Sequence, residues 1–545
     1  MSKTMDYHSK LQVFSAWLAE NGAKYPKIDW PSDDTVGGCR GAMAVETISS
    51  DEVMMEIPIK LMMSPNSAFD DELIGKKLQM SQDILRGDIL LAVYIMSEIL
   101  KGEGSFYHPF LAILPESGSI IQWTDSQLGM LQDDSITHRA KNRRVVLRNT
   151  YSRSIEVLCD RYPETFTVEE YTYKLFLFSW FSIQARAFGR RLPWTALVPF
   201  ADCLNHSNVQ TKYDYNINNN GVFRMYPTGS NCYPQGTEVF NSYGRRPNDN
   251  LLLDYGFSIL DNMWDDVQIN LSLSVSTPMY GAKRSILFAM GKNPNHMFNF
   301  QRASFPFEAL AFSRVVCMEE KDLNIIMEQV DESDNTNDEE SAATQTFLLV
   351  NRIINITSEL AAIRLLSRIF CEYRIRWLTT ILEDEMTLQV LETPNESTHI
   401  GVFDSSVKKI EINNNNSDGS TDDENWKAIS SLKYRLTRKR IIDSNIQKLF
   451  VMESHFSSLF ERGTGTDQKD QKETDISPSK MILEKLNQID TDSDGKKQLS
   501  EVSPYVTSAS RTFVETYKSE DKNGSANDYK LRAYIQRACN DCLTF

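Results

Sequence analysis

The sequence predicts an α+β protein in which a β-rich unit is interrupted by a helical insertion and followed by a helical region. Short alternating stretches broken by Gly, Asn and Pro occur at residues 37–58 and again at 195–262. Residues of about 80–190 between them, and those from about 280 onward, instead repeat apolar side chains at helical spacing. The two β-rich stretches are therefore expected to form one unit that the insertion divides.

Length, charge and cysteine usage set the broad class. The chain has 545 residues, which is too long for one hydrophobic core, so more than one domain is expected. Its net charge of −16 argues against nucleic-acid binding, which needs clustered basic residues. Eight scattered cysteines and the absence of a long apolar run predict a soluble intracellular protein, in the cytoplasm, the nucleus or an organelle. No membrane partner is expected, and the oligomeric state stays open.

The elements follow in order along the chain. A helix is predicted over residues 8–22 because four apolar side chains fall on one face: Leu11, Phe14, Trp17 and Leu18. Gly22 then marks the end of the helix. A glycine-rich turn then leads into two strands, around residues 45–48 and 53–57. The expected divisions are an N-terminal helical segment (1–35), the β-rich unit (36–262), an all-helical domain (263–455), a linker (456–480) and a tail (481–545). The acidic stretch 413–425 is predicted to be a loop.

The stretch LVPFADCLNHSN (197–208) places three hydrogen-bonding side chains directly after an apolar run. Asp202, Asn205 and His206 lie within five residues. The plainest interpretation is a turn at the end of a strand, because Asp and Asn bond their own backbone there.

Several segments in a fixed order give these residues a second interpretation. They are GGCRGAMA (37–44), SFYHPFLAILP (105–115), SWFSIQARAFGRR (179–191), LVPFADCLNHSN (197–208) and EVFNSYGRRPNDNLLLDYGF (238–257). Together they resemble the SET-domain protein methyltransferases of the Rubisco large-subunit methyltransferase type, over roughly residues 8–455. The resemblance implies a SET domain split by a helical insertion and followed by a helical substrate-binding domain.

The resemblance also implies S-adenosylmethionine as the cofactor. A glycine-rich turn lets backbone groups approach a ligand closely, and an Asn amide both donates and accepts hydrogen bonds. By resemblance, the cofactor would be bound by Gly38, Cys39, Arg40, Gly41, Arg186, Asn205 and His206. Read without the resemblance, these residues form a turn, an ion pair and a structural histidine.

Tyr243 is the residue that the resemblance assigns to the chemistry. A lysine acceptor has to lose its proton before it attacks a methyl group, and its free pKa is about 10.4. An apolar channel and a neighbouring positive charge both lower that pKa, and a tyrosine hydroxyl can orient the amine. The substrate would meet Arg186, Arg190, Asp202, Tyr215 and Tyr255. The plainer interpretation of the tyrosines is a core position with a satisfied hydroxyl.

Departures from related patterns narrow the expected target. Histone-directed SET enzymes commonly carry Asn-His-Ser-Cys, whereas Asn208 stands at the place of that cysteine here. The actin-histidine branch of the family lacks the tyrosine of DYGF, whereas Tyr255 is present. The sequence therefore predicts a protein-lysine N-methyltransferase acting on a non-histone protein. The alternatives are a protein-histidine N-methyltransferase on the same fold and an inactive SET-fold binding module.

The tail carries a separate signal. DTDSDGKKQLSE (490–501) resembles an EF-hand calcium loop, with acidic residues at positions one, three and five, glycine at six and glutamate at twelve. The Ca²⁺ ligands would be Asp490, Asp492, Asp494, Lys496 and Glu501. The alternative is an acidic linker, because no good partner loop follows.

Overall fold

The computed structural model describes residues 6–32, 40–189, 192–216, 221–331, 353–392 and 420–463. The α+β class and the helical insertion are confirmed. The chain divides into two compact units, Met1–Met263 and Trp264–Phe545. None of the helices in the described ranges has both the length and the apolar character needed to cross a membrane.

The first unit combines short strands with many helices. Its strands are β1 (Ile28–Ser32), β2 (Gly41–Ala44), β3 (Met55–Pro58), β4 (Thr211–Asn216) and β5 (Val222–Pro227). Its α-helices are α1 (Tyr7–Glu20), α2 (Pro65–Phe69), α3 (Gly75–Met80), α4 (Asp88–Leu100), α5 (His108–Leu111), α6 (Asp125–Gly129), α7 (Asp134–Tyr151), α8 (Val157–Arg161), α9 (Tyr173–Arg186) and α10 (Asn248–Asn250). Two π-helical turns lie at Ser152–Glu156 and Leu251–Tyr255.

The second unit is mainly helical. Its α-helices are α11 (Tyr280–Ala289), α12 (Phe307–Cys317), α13 (Glu320–Asp331), α14 (Ile356–Ile375), α15 (Ile381–Glu392) and α16 (Ser420–Gly463), and its strands are β6 (Val267–Ser272) and β7 (Asn295–Phe300).

The N-terminal helix forms as predicted. Asp6 caps α1 by accepting a hydrogen bond from the amide of Ser9 at 2.9 Å. The buried side chains of α1 are those expected from the spacing: Leu11, Phe14, Trp17 and Leu18. Gly22 follows the helix with a φ of 88°, a conformation that glycine adopts without strain.

The sheets differ from the prediction in one strand. β1 pairs with β2, and β5 lies between β3 and β4 in an antiparallel three-stranded sheet. The strand predicted around residues 45–48 is wrong, because β2 ends at Ala44 and Ile48 makes only an isolated bridge with Tyr233. The register of β2 is set by its partner β1. Because β1 contains Pro31, which has no amide hydrogen to donate, its sequence does not resemble that of a regular strand.

The second unit departs from an all-helical domain at its start. β6 and β7 form an antiparallel pair in which alternate residues of β6 are buried: Val267, Ile269 and Leu271. The end of the predicted loop 413–425 is also wrong, because α16 begins at Ser420. The same helix continues to Gly463, inside the predicted linker.

Candidate active site

Two chain segments distant in sequence run side by side in the first unit. Residues 204–207 and 241–243 form a parallel bridge at His206 and Asn241. The amide of Asn241 donates to the carbonyl of Asn205 at 2.8 Å, and that of Ser207 donates to the carbonyl of Asn241 at 3.3 Å. This pairing brings LNHSN and NSYG, the two polar motifs of the sequence, into one place.

Tyr243 is held at this crossing by both its backbone and its side chain. Its hydroxyl donates to the carbonyl of Leu204 at 2.9 Å, and its amide lies 3.1 Å from Nδ1 of His206. Its ring stacks between those of His206 and Tyr255, with centroids 4.8 Å apart on each side. Burial raises the pKa of Tyr243, so the side chain is a neutral hydroxyl at physiological pH.

His206 is fixed by backbone groups. Its Nδ1 lies within hydrogen-bond distance of the Tyr243 amide and of the Asn241 carbonyl, at 3.1 and 3.2 Å. Its Nε2 is buried without a hydrogen-bond partner in the described part of the chain. Burial lowers the pKa of His206, with a smaller contribution from Arg246 in the same direction. The ring is therefore neutral near pH 7.

A group of charged and amide side chains lies next to the crossing. Arg186, in the last turn of α9, donates to the carbonyl of Asp202 at 3.0 Å and to its carboxylate at 3.2 Å. The carboxylate of Asp202 is fully buried, and this burial raises its pKa. Asn205 donates to Glu238 at 2.8 Å and to the carbonyl of Arg40 at 3.3 Å.

Arg40 differs from Arg186 in its partners. Its guanidinium packs 4.6 Å from the ring centroid of Tyr7 and donates to the Tyr7 hydroxyl. Within the described ranges it forms no ion pair with a carboxylate. Burial lowers the pKa of Arg40, and a buried cation is stabilised by a neighbouring anion.

Five of these residues, Arg40, Arg186, Asp202, Asn205 and Tyr243, line a cavity of about 100 Å³. One side is polar and charged, whereas the segment that follows α5 contributes an apolar wall. The lining residues are Trp30, Arg40, Phe110, Ile113, Leu114, Pro115, Arg186, Asp202, Cys203, Asn205 and Tyr243. A cavity with an apolar wall and a few convergent polar groups is the usual form of a small-molecule site.

The DYGF turn places two further rings against Tyr243. The turn ends at Gly256, whose φ is 91°, and a Cβ there would lie 2.1 Å from the backbone of Gly118. No other residue fits that position, so the chain turns sharply after Tyr255. The ring of Phe257 lies 6.0 Å from that of Tyr255 and 6.5 Å from that of Tyr243. π-helical turns of this kind are frequent at functional sites.

The structure brings together most of the residues expected at the site. Those at the cavity or in the ring stack are Arg40, Arg186, Asp202, Asn205, His206, Tyr243 and Tyr255. Gly41 begins β2 directly after Arg40. Tyr215 is not among the cavity residues, because it lies on β4 with its ring against Trp194.

Some expected site residues lie outside the described residues: Gly38, Cys39, Arg190, Asp490, Asp492, Asp494, Lys496 and Glu501. Their roles, including the calcium loop, stay predictions. In the described ranges, no group of three or more His, Cys, Asp or Glu side chains could hold a metal ion.

Sequence reasoning missed several residues of the cavity. Trp30 and Cys203 carried no pattern of their own. Glu238, which does not line the cavity, was not expected to accept a hydrogen bond from Asn205. Phe110 lies in the SFYHPFLAILP segment, which marked the resemblance but had no assigned role. Burial raises the pKa of the Cys203 thiol well above its usual value, so this group stays uncharged.

Several known proteins have sequences similar to part of this chain. The family model for Rubisco LSMT substrate-binding matches residues 274–442. The actin-histidine N-methyltransferase of Mus musculus is 27% identical over 334 residues, and that of Homo sapiens is 26% identical over the same length. Each alignment covers 59% of this chain and 54% of the relative, so the chain matches about half the length of these proteins.

Solved structures match more of the chain. The SET domain of LSMT bound to lysine and AdoHcy superimposes with a TM-score of 0.58 and covers 88% of this chain and 99% of that chain. Rubisco LSMT bound to AdoMet gives a TM-score of 0.57 and covers 85% of this chain and 97% of that chain. The sequence identity is 18% in both comparisons, which establishes the fold. The chain thus has the SET-domain fold of the Rubisco LSMT structures, and its residues 274–442 match the family model for Rubisco LSMT substrate-binding.

Proposed function

We propose that this chain is an S-adenosylmethionine-dependent protein N-methyltransferase. The observation that carries the proposal is the meeting of Arg40, Asn205 and Tyr243 at one cavity. Support also comes from the fold, which this chain shares with solved structures bound to AdoMet and AdoHcy.

The cavity residues fit the chemistry of this cofactor. S-adenosylmethionine supplies an activated methyl group and also carries a carboxylate, an ammonium and an adenine. Arg40, which has no carboxylate partner in the described residues, suits the carboxylate, and the oxygen of the Asn205 amide suits the ammonium. The rings of Trp30 and Phe110 give an apolar wall for the adenine.

Tyr243 would act on the acceptor nitrogen. Its hydroxyl hydrogen is donated to the Leu204 carbonyl, so the oxygen lone pairs are left to accept a hydrogen bond from the acceptor N–H. In a neutral lysine amine, that bond would direct the lone pair of the same nitrogen toward the methyl group; in a neutral imidazole, it would orient the ring so that the other nitrogen, which carries the lone pair, faces the methyl group. The neighbouring rings of His206, Tyr255 and Phe257 exclude water and favour an uncharged acceptor.

Histidine is the first candidate for the acceptor residue. The similar proteins named above are actin-histidine N-methyltransferases, which favours histidine over the lysine predicted from the sequence. A neutral imidazole has a nucleophilic nitrogen near pH 7 without further deprotonation. Actin is accordingly the first protein to test as a substrate.

Lysine is the second candidate, and one contact favours it. The ring of Tyr255, which the resemblance places among the residues that meet the substrate, stacks on that of Tyr243 at an interplanar angle of 24°. Aromatic faces stabilise a methylated ammonium product by cation–π interaction.

The test is incubation of the purified chain with methyl-labelled S-adenosylmethionine and a whole-cell lysate, with Tyr243→Phe alongside. Labelled bands in the wild type that fade about 100-fold in the variant are expected, because the variant loses the group that orients the acceptor. Mass spectrometry of the bands then identifies the methylated residue as histidine or lysine. No label above background would reject the enzyme and favour a SET-fold binding protein.

A further inference from the structure

We propose that Asp254 is a positioning residue that links the catalytic tyrosine to its neighbouring ring and so sets how the acceptor is held. The inference rests on the proposed function. It concerns a carboxylate that does not line the cavity and to which the sequence analysis assigned no role, although it belongs to the DYGF motif.

Asp254 lies at the centre of a chain of polar contacts. One carboxylate oxygen is 3.2 Å from the guanidinium of Arg143 on α7, and the other is 4.0 Å from that of Arg246. The Nε of Arg246 in turn donates to the carbonyl of Tyr243 at 3.3 Å. Asp254 thus connects α7 to the backbone of Tyr243.

The next residue after Asp254 is Tyr255, whose ring stacks on Tyr243. The same carboxylate therefore acts on both partners of the stack. It holds Tyr255 through the covalent chain and Tyr243 through Arg246. The two arginines are 46% and 41% exposed, whereas Asp254 is 14% exposed. A largely buried carboxylate held by two arginines has a more fixed position than the partners of a single exposed ion pair.

The turn itself has other anchors. Asn248 bonds Ile259 through both its side-chain atoms, at 2.9 and 2.8 Å. Arg139, also on α7, pairs with Asp249 and lies 3.3 Å from the side-chain oxygen of Asn250. Removal of the Asp254 charge is therefore expected to leave the turn folded and to loosen the stack of the two tyrosines.

The experiment uses the full chain and compares Asp254→Asn, Arg143→Gln and the double variant with the wild type. The matched control is Arg161→Gln, which removes another Arg–Asp pair of the same unit, with contacts of 2.9 and 2.8 Å to Asp83. The probes are S-adenosylmethionine alone, measured by calorimetry, and total lysate protein as the acceptor, titrated at saturating labelled S-adenosylmethionine.

Labelling of the main acceptor band at limiting lysate should fall about tenfold in Asp254→Asn, because small misplacements of reacting groups are costly. The affinity for S-adenosylmethionine and the melting temperature should stay at the values of Arg161→Gln. The double variant should lose no more than the stronger single variant, because both changes remove the same contact.

Three results would overturn the inference. Labelling by Asp254→Asn equal to that of Arg161→Gln would remove the role of the carboxylate. If Asp254→Asn also lost affinity for S-adenosylmethionine, the role of Asp254 would be a general structural one. If the losses of labelling in the two single variants added up in the double variant, Asp254 would act independently of Arg143. If the wild type labels no protein at all, the proposed function itself fails, which is a different result from any of these.

Discussion

Each unit contains a cluster of buried charged side chains, and the two clusters differ in how fully their polar groups are paired. The comparison distinguishes charges that stabilise the fold from charges that would bind a ligand. In the second unit, Asp384 is 1% exposed and accepts hydrogen bonds from three side chains. They come from Arg435 at 2.5 and 3.2 Å, Lys439 at 2.6 Å and Thr379 at 2.8 Å. Every contact runs between α15, α16 and the short segment that precedes α15.

The cluster of the first unit comprises Arg40, Arg186, Asp202 and His206. Within the described residues, its polar groups are not all paired. Arg186 has Asp202 as a partner, but Arg40 has no carboxylate and Nε2 of His206 has no hydrogen-bond partner there. These groups lie at or beside a cavity, whereas the Asp384 cluster is packed among helices. Buried polar groups are normally satisfied, so the unpartnered Nε2 of His206 beside the cavity agrees with the cofactor site proposed above.

Complete pairing does not remove the cost of burial. Burial lowers the pKa of Lys439 to about 8, although the lysine is fully buried against Asp384 and the carbonyl of Thr379. The Asp384 carboxylate contacts both cations of this cluster, Arg435 and Lys439, and so offsets part of the cost of their burial.

The largest expected effect in this comparison follows from Asp384→Asn. The change removes the buried carboxylate that contacts both Arg435 and Lys439, which should lower the free energy of unfolding of the second unit by about 3–5 kcal/mol. Guanidinium unfolding measures the loss. The control is Asp83→Asn, which removes an exposed ion pair and should change stability little. Equal effects of the two variants would contradict the structural role given to the Asp384 cluster.

A smaller effect is expected from the pH dependence of His206. Burial lowers its pKa below the ordinary value of 6.5, so below pH 6.5 the unfolded chain takes up a proton that the folded chain does not. Stability therefore falls as the pH drops through this window and is unaffected by His206 above it. Denaturant unfolding at pH 7.5 and 5.5 should show a shallower fall for His206→Asn than for the wild type. An identical fall in both proteins would contradict a buried, neutral His206.

The sequence was informative where local pattern decides the structure. The face of α1 and the insertion around α4 and α9 follow from spacing alone, and the Asn-His and Tyr-Gly motifs do lie together. It was uninformative where a distant partner decides. The strand β1 was not predicted because it contains Pro31. The register of β2 is set by its pairing with β1 rather than by its own apolar residues.

The same reason explains what was missed at the site. Glu238 matters because the fold places it 2.8 Å from Asn205, and Asp254 because it lies between Arg143 and Arg246. Neither neighbourhood can be read from spacing. The motif residues were found because short segments of fixed order carry them, whereas their supporting contacts depend on how the fold brings these segments together with each other and with α7.

The most direct test of the contrast between the two clusters is calorimetric titration of the full chain with S-adenosylmethionine, in the wild type, Arg40→Gln and the control Arg161→Gln. Hydrogen bonds to charged groups are worth about 1.5–3 kcal/mol, so Arg40→Gln should weaken binding about 10- to 100-fold. Arg161→Gln should bind like the wild type, because its ion pair lies away from the cavity. Wild-type binding with that selective loss is the result we predict. Equal affinity of Arg40→Gln and the wild type, or no binding by the wild type, would contradict the assignment of this cavity to the cofactor.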